Sequence, residues 1–229
     1  MPHWNPIGHD GRAWWFEYSF SSGAWATALA FRTPDGIAVI SPPKVDDPTV
    51  LDELGTHGPI TALIANNAFH HLGQTTWRAH FPAAQSYGPP GGLAALKKKH
   101  PDIPWRDVAE LTLNPGCSIA DPPGFRTGEV FASISTDAGT VWYTGDLLSN
   151  IHRTPGPPVQ WLFTWTGSAP GFKLFKPCVW FFVKDRPALR AWYEARLASD
   201  PPSIIVPAHG PAYAPTSLAD EVRDRLKGL

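Results

Sequence analysis

Ile60-Thr61-Ala62-Leu63-Ile64-Ala65-Asn66-Asn67-Ala68-Phe69-His70-His71 joins an apolar run to a polar loop that carries two adjacent histidines. The run Ile60–Ala65 has the length and branching of a buried strand. Loops at the ends of such strands are where a rigid scaffold holds its chemistry. Two later segments repeat the arrangement: Val141–Thr144 leads into Gly145-Asp146, and Ile204–Val206 leads into Pro207-Ala208-His209-Gly210. Three imidazoles, His70, His71 and His209, and the Asp146 carboxylate are the donors that a borderline-soft ion such as zinc prefers.

Outward from these segments, Trp14–Phe20 and Thr27–Arg32 read as strands, and Pro34-Asp35-Gly36 turns the chain into a third, Ile37–Ile40. Asp47-Pro48 pairs an N-cap with a proline at the first helical position, and Gly55 closes that short helix. Gln74–His80 and Gly91–Lys99 read as helices, ended by Pro82 and Pro101. Leu111–Ile119 is strand-like but broken by Asn114-Pro115-Gly116. Glu129–Ser135 and Thr140–Thr144 flank Asp137-Ala138-Gly139 as a hairpin. Asp185 caps a helix through Leu197, and Ser217-x-x-Asp220 has the spacing of a capping box for the last one. No repeat and no linker interrupts the order, so one domain over residues 1–229 is expected. Its class is α/β (α+β), with two sheets covered by helices on their outer faces.

Composition narrows the partners. The chain has 229 residues, 11 Trp, 20 Gly and 26 Pro, which predicts an aromatic core and many short elements. A formal charge of −1 gives no reason to expect a nucleic-acid partner. Lys97-Lys98-Lys99 reads as a solvated helix face. Met1–Gly11 has no apolar h-region, and Trp161–Val183 is interrupted by Gly167, Pro170, Lys173, Lys176 and Pro177. A cytoplasmic protein with no membrane partner is therefore the expectation. Cys117 and Cys178 lack metal or redox spacing and read as buried free thiols. The aromatic stretch Trp161–Phe182 has two readings: a pocket wall or lid over the polar loops, or sheet core with a homodimer contact, the latter slightly favoured. Either way the expected substrate is a small, bulky, apolar and uncharged molecule. No phosphate-binding Gly-rich loop and no dinucleotide fingerprint is present.

The order of the motifs, from about Trp14 to His209, resembles the metallo-β-lactamase superfamily. That resemblance implies a four-layer αββα sandwich of two mixed sheets with helices on the outer faces. In the family, H-x-H-x-D-H and a later G-H-[ST]-P-G-[ST] supply most of the ligands to two metals. Here Asn66-Asn67-Ala68-Phe69-His70-His71 and Gly124-Phe125-Arg126-Thr127-Gly128-Glu129 stand in their places. Asn66, Ala68 and Phe125 occupy the three imidazole positions of the first metal site, and Ala68 and Phe125 would fill that space with apolar volume. His70 stands at the family's Asp position, His71 and His209 at its second-site His positions, and Asp146 at the bridging position. The resemblance thus implies a divergent member that keeps one divalent ion, zinc first and iron or manganese second, on His70, His71, Asp146 and His209. His70 is the weakest of the four, being able to serve by hydrogen bonding alone.

A metal-dependent hydrolase of an ester, thioester, lactam or phosphoester follows from that site. Asp146 and Glu129 are its candidate catalytic carboxylates, although Glu129 reads more readily as an exposed strand end. Two other functions fit the same residues: a catalytically inactive member of the fold with a binding or structural role, and an iron-dependent oxygenase or redox enzyme.

Overall fold

The computed structural model describes residues 3–21, 23–45 and 47–229. The first half of the chain builds one seven-stranded sheet in sequence order. Strands β1 (Asn5–Ile7), β2 (Ala13–Ser21), β3 (Ala24–Thr33) and β4 (Gly36–Ile40) form an antiparallel meander. Helix α1 (Thr49–Gly55) then crosses to β5 (Ile60–Ile64), α2 (Gln74–His80) to β6 (Gln85–Gly88) and α3 (Leu93–Lys99) to β7 (Trp105–Asp107). These pairings are parallel, which is why each needs a helical crossover rather than a tight turn.

The second sheet is mixed as well. Strands β8 (Cys117–Ala120), β9 (Phe131–Thr136) and β10 (Gly139–Tyr143) are antiparallel neighbours. From β10 the chain runs through β11 (Leu148–Ile151), α4 (Val159–Trp165), β12 (Gly171–Leu174), α5 (Lys176–Phe182) and α6 (Arg186–Ser199). It returns as β13 (Ile204–Val206), parallel to β10, and ends in α7 (Leu218–Leu226). Strands β11 and β12 form a separate two-stranded ribbon.

Side-chain alternation turns these sheets into layers. Along β5, Ala62 and Ile64 join the core between the sheets, whereas Leu63 and, across a register shift after Ile60, Ile60 itself pack outward with Val50, Leu51 and Leu54 of α1 and Trp77 of α2. Along β10, Val141 and Tyr143 face the same central core, and Trp142 faces Cys178 and Val179 of α5, Tyr193 of α6 and Val222 of α7. Both sheets are buried on two faces, so their central strands read as unbroken apolar runs. The result is the expected helix, sheet, sheet, helix order.

Three local expectations change. Ser217 does not cap α7 through a box with Asp220; its hydroxyl donates instead to Glu221 Oε1 at 2.7 Å. A capping box forms elsewhere, where Asp107 and Glu110 bracket a single 3₁₀ turn. Trp161–Phe182 is core only in part: it folds as α4, β12 and α5, with Phe172, Leu174, Cys178 and Val179 in the outer core and no residue of α4 buried. Cys178 is buried and Cys117 half-buried, both as free thiols. Among the described residues no helix is long and apolar enough to cross a membrane.

Trp142 is fully buried, with its ring edge-on to Phe131 at 5.1 Å. Trp142→Ala is therefore expected to cost about 4 kcal/mol, read as a lower urea midpoint at unchanged slope.

Candidate metal centre

Register brings two of the donors together. Tyr143 and Val206 are partners in the parallel β10–β13 pair, and Asp146 and His209 each lie three residues beyond them. The loops stay paired past the strands: Ala208 N–H donates to Gly145 O at 2.9 Å, and Thr27 N–H to Ala208 O at 2.8 Å. Gly145 has φ +56°, and a Cβ there would collide with the Glu129 carboxylate. Glycine at this position allows the loop to lie directly on that side chain.

The third donor comes from the loop after β5, and Asn67 shapes it. Asn67 Oδ1 accepts from the backbone N–H groups of Phe69 (2.8 Å) and His70 (3.1 Å), a side-chain-closed turn that presents His70 inward. Its amide nitrogen donates to Glu129 Oε2 (2.9 Å) and to Asp146 Oδ2 (2.8 Å). Every hydrogen-bonding position of this buried amide is thus used.

His70 Nε2 and His209 Nε2 lie 3.1 and 3.2 Å from Asp146 Oδ1. The three donor atoms all fall within 4.8 Å of one another. A tetrahedral ion with bonds near 2.0–2.1 Å holds its ligand atoms about 3.3–3.4 Å apart, close to the two separations seen. Oδ1 is buried and has no hydrogen-bond partner of acceptable geometry. His209 Nδ1 is bound to Trp25 O at 2.8 Å, so that nitrogen carries a proton and Nε2 is the atom turned toward the carboxylate. Two facing acceptors at this distance need a cation or a proton between them. The donor set and the orphaned oxygen both fit a divalent metal.

Electrostatics make the cluster a place for positive charge, a proton or an ion alike. Burial pushes the Asp146 carboxyl up, but the flanking His70 and His209 overcome it and leave the group well below the ordinary carboxylate range. Burial lowers His209, and the adjacent Asp146 more than reverses this, so its affinity for a positive charge is raised.

His71 and Glu129 are placed differently from expectation. His71 is turned away from the three donors: its Nδ1 is 2.7 Å from His100 Nε2 and its Nε2 is 3.3 Å from Lys99 Nζ. Burial, then the charges of Lys99 and His100, lower its pKa to about 4. Adjacent loop residues point apart, and the Asn67 turn selects His70, the member that had looked weakest. Glu129 is not an exposed strand end but is buried. Its Oε1 accepts from Asn66 Nδ2 (2.5 Å) and Asp146 N–H (2.9 Å). Burial first, and then the charge of Asp146, push its pKa well up. In place of the expected apolar filling, Asn66, Asn67 and Glu129 form a buried polar network beside Asp146. Phe125 instead bridges to Val183 in the outer core. Sequence reading passed over Asn67, although two successive amides directly after a buried strand are a signal for such a network.

Two cavities meet at the centre. One of about 410 Å³ is walled by Trp25, Phe163, Phe175 and His209, with Glu17, His152 and Arg153 on its polar side. A second, of about 280 Å³, contains His70, Asp146 and His209 beneath Phe69, Phe175 and Phe182. His152 is exposed and bonded to Asn150 Oδ1 at 3.0 Å, so it belongs to the cavity wall rather than to the donor cluster.

No protein-family model matches the chain, and comparison with curated proteins gives no match. Solved structures are similar over its full length. A metallo-beta-lactamase from Pontibacter korlensis superposes with a TM-score of 0.66 at 14% identity, covering 100% of both chains. The FIM-1 metallo-beta-lactamase from Pseudomonas aeruginosa, in its mono-zinc form, gives 0.60 at 12% identity over 98% of this chain and 94% of the other. A metal-soaked flavodiiron core from Synechocystis gives 0.65 at 14%, covering 99% of this chain and 60% of that one. At these identities the likeness establishes the fold.

Asn67→Ala leaves two buried carboxylates short of a donor and releases the His70 turn. The expected outcome is a loss of about 2–4 kcal/mol in urea unfolding. Zinc affinity, measured by calorimetry, should fall roughly tenfold or more.

Proposed function

We propose that this metallo-β-lactamase fold carries a metal-dependent hydrolase that works with one divalent ion, zinc first, held by His70, Asp146 and His209. The observation that carries the reading is the orphaned Asp146 Oδ1 facing two imidazole nitrogens at 3.1 and 3.2 Å. Three protein donors with one side open to a cavity is the arrangement of a catalytic rather than a structural site. The ion supplies Lewis-acid polarisation of a scissile oxygen and activation of water near neutral pH.

The chain's own residues do the rest. Trp25 O fixes the tautomer of His209, and Asn67 holds Asp146 Oδ2 so that Oδ1 faces the donors. Phe163, Phe175 and Trp25 give the apolar surface that binds a small uncharged substrate and excludes water around the reacting bond. Glu129 lines neither cavity and has both oxygens engaged, so its role is to position Asp146, not to move a proton to substrate.

One observation favours a second reading. Two imidazoles and one carboxylate with open positions are also the donors of non-haem iron enzymes that use oxygen. Metal identity separates the two.

Protein purified without chelator is expected to hold about one equivalent of zinc by mass spectrometry and to hydrolyse nitrophenyl acyl esters. His209→Ala should lose both, and His71→Ala should keep the metal. Less than about a tenth of an equivalent in the parent protein would refute the site. Iron in place of zinc would favour the redox reading, and a loaded protein inert toward esters would favour a binding role.

A further inference from the structure

We infer that the face formed by α4 and the rims of the two cavities docks on an anionic lipid bilayer surface. The inference does not depend on the hydrolytic reading. Helix α4 is Val-Gln-Trp-Leu-Phe-Thr-Trp, with no charged residue and none buried. Trp161 and Trp165, four residues apart and therefore on one helix face, are 68% and 82% exposed. Phe181 is 67% exposed on α5, and Phe69 and Leu72 stand half-exposed on the rim of the smaller cavity. Exposed indoles in this number mark a surface that is covered in use.

Charge decides what covers it. The whole chain has 19 Lys and Arg against 20 Asp and Glu, yet residues 147–184 hold Arg153, Lys173, Lys176 and Lys184 and no acidic residue. Arg153 lies on the rim of the larger cavity, its guanidinium 4.9 Å over the Trp25 ring. Behind the smaller cavity, Lys99 Nζ, which donates to Ala68 O, lies 4.9 Å from the ring centre of Phe69, and Phe69 packs on Phe182 at 5.1 Å. Glu17 is the one acidic side chain among the residues lining the larger cavity, where the charges of Arg153 and His152 act on it.

A second copy meeting this face across a two-fold axis would set these cations against themselves. Indoles together with Lys and Arg, and with few directional polar groups, match the chemistry of an anionic membrane interface. Val159 and Phe163, on the opposite side of the same helix from the two indoles, wall the apolar cavity that reaches His209, so the helix separates the docked face from that cavity.

The test is co-sedimentation of the full chain with vesicles of phosphatidylcholine alone and of phosphatidylcholine with roughly one-third phosphatidylserine. The expected result is binding to the anionic vesicles with a blue shift of tryptophan emission, weakened by salt. A Trp161→Ser, Trp165→Ser double variant, whose unfolding midpoint should not change, is expected to bind at least about tenfold more weakly. Arg153→Gln should bind more weakly and show a reduced salt dependence. Absence of binding, equal binding by the double variant, or equal binding to neutral vesicles would each overturn the inference. So would light scattering that shows a dimer in the parent and a monomer in the double variant, since the covering surface would then be a second copy.

Discussion

Two carboxylates, Glu129 and Asp146, are buried within reach of one amide nitrogen, and the architecture of the centre is the solution to that problem. Burial alone would drive a proton onto either group, and burying both as anions would be costly. Asn67 donates to one oxygen of each, Asn66 and the Asp146 backbone complete Glu129, and the imidazoles of His70 and His209 face what is left of Asp146. The two carboxylates respond in opposite directions: Glu129 is pushed toward neutrality and Asp146 toward charge. One of the pair becomes a strut and the other a candidate ligand.

The interior beside the donors is closed in the same way. Asn66, Asn67 and the Asp146 backbone amide all donate to Glu129, so hydrogen bonds rather than apolar packing fill it. Such a network is stiff, because loosening any member leaves a buried polar atom without a partner.

Much of the scaffold was legible in the sequence because it is written in local signals. Helix α2 ends just ahead of the Pro82 that stops it, and the β9–β10 hairpin turns at the Asp-Ala-Gly that announces it. The three strand-end loops were legible as places, and His70, Asp146 and His209 do converge there. Which of two neighbouring histidines faces inward was not, since that depends on an Asn67 turn whose closing bonds cannot be counted from residue types. Glu129 misled for a related reason: its partners Asn66 and Asn67 lie 63 and 62 positions earlier. The aromatic stretch misled in the opposite sense. Trp and Phe normally indicate interior, and only the three-dimensional placement of α4 reveals indoles directed at solvent.

The parallel pairing of β10 with β13 has a temporal side. Asp146 leaves the ribosome more than sixty residues before His209, and the strand that leads into the His209 loop is the last in sequence of either sheet. Until that strand docks, the nascent polypeptide offers an ion only fragments of a chelate, each too weak to retain it against water. An ion held by these three donors would therefore be acquired only once the tertiary structure is complete.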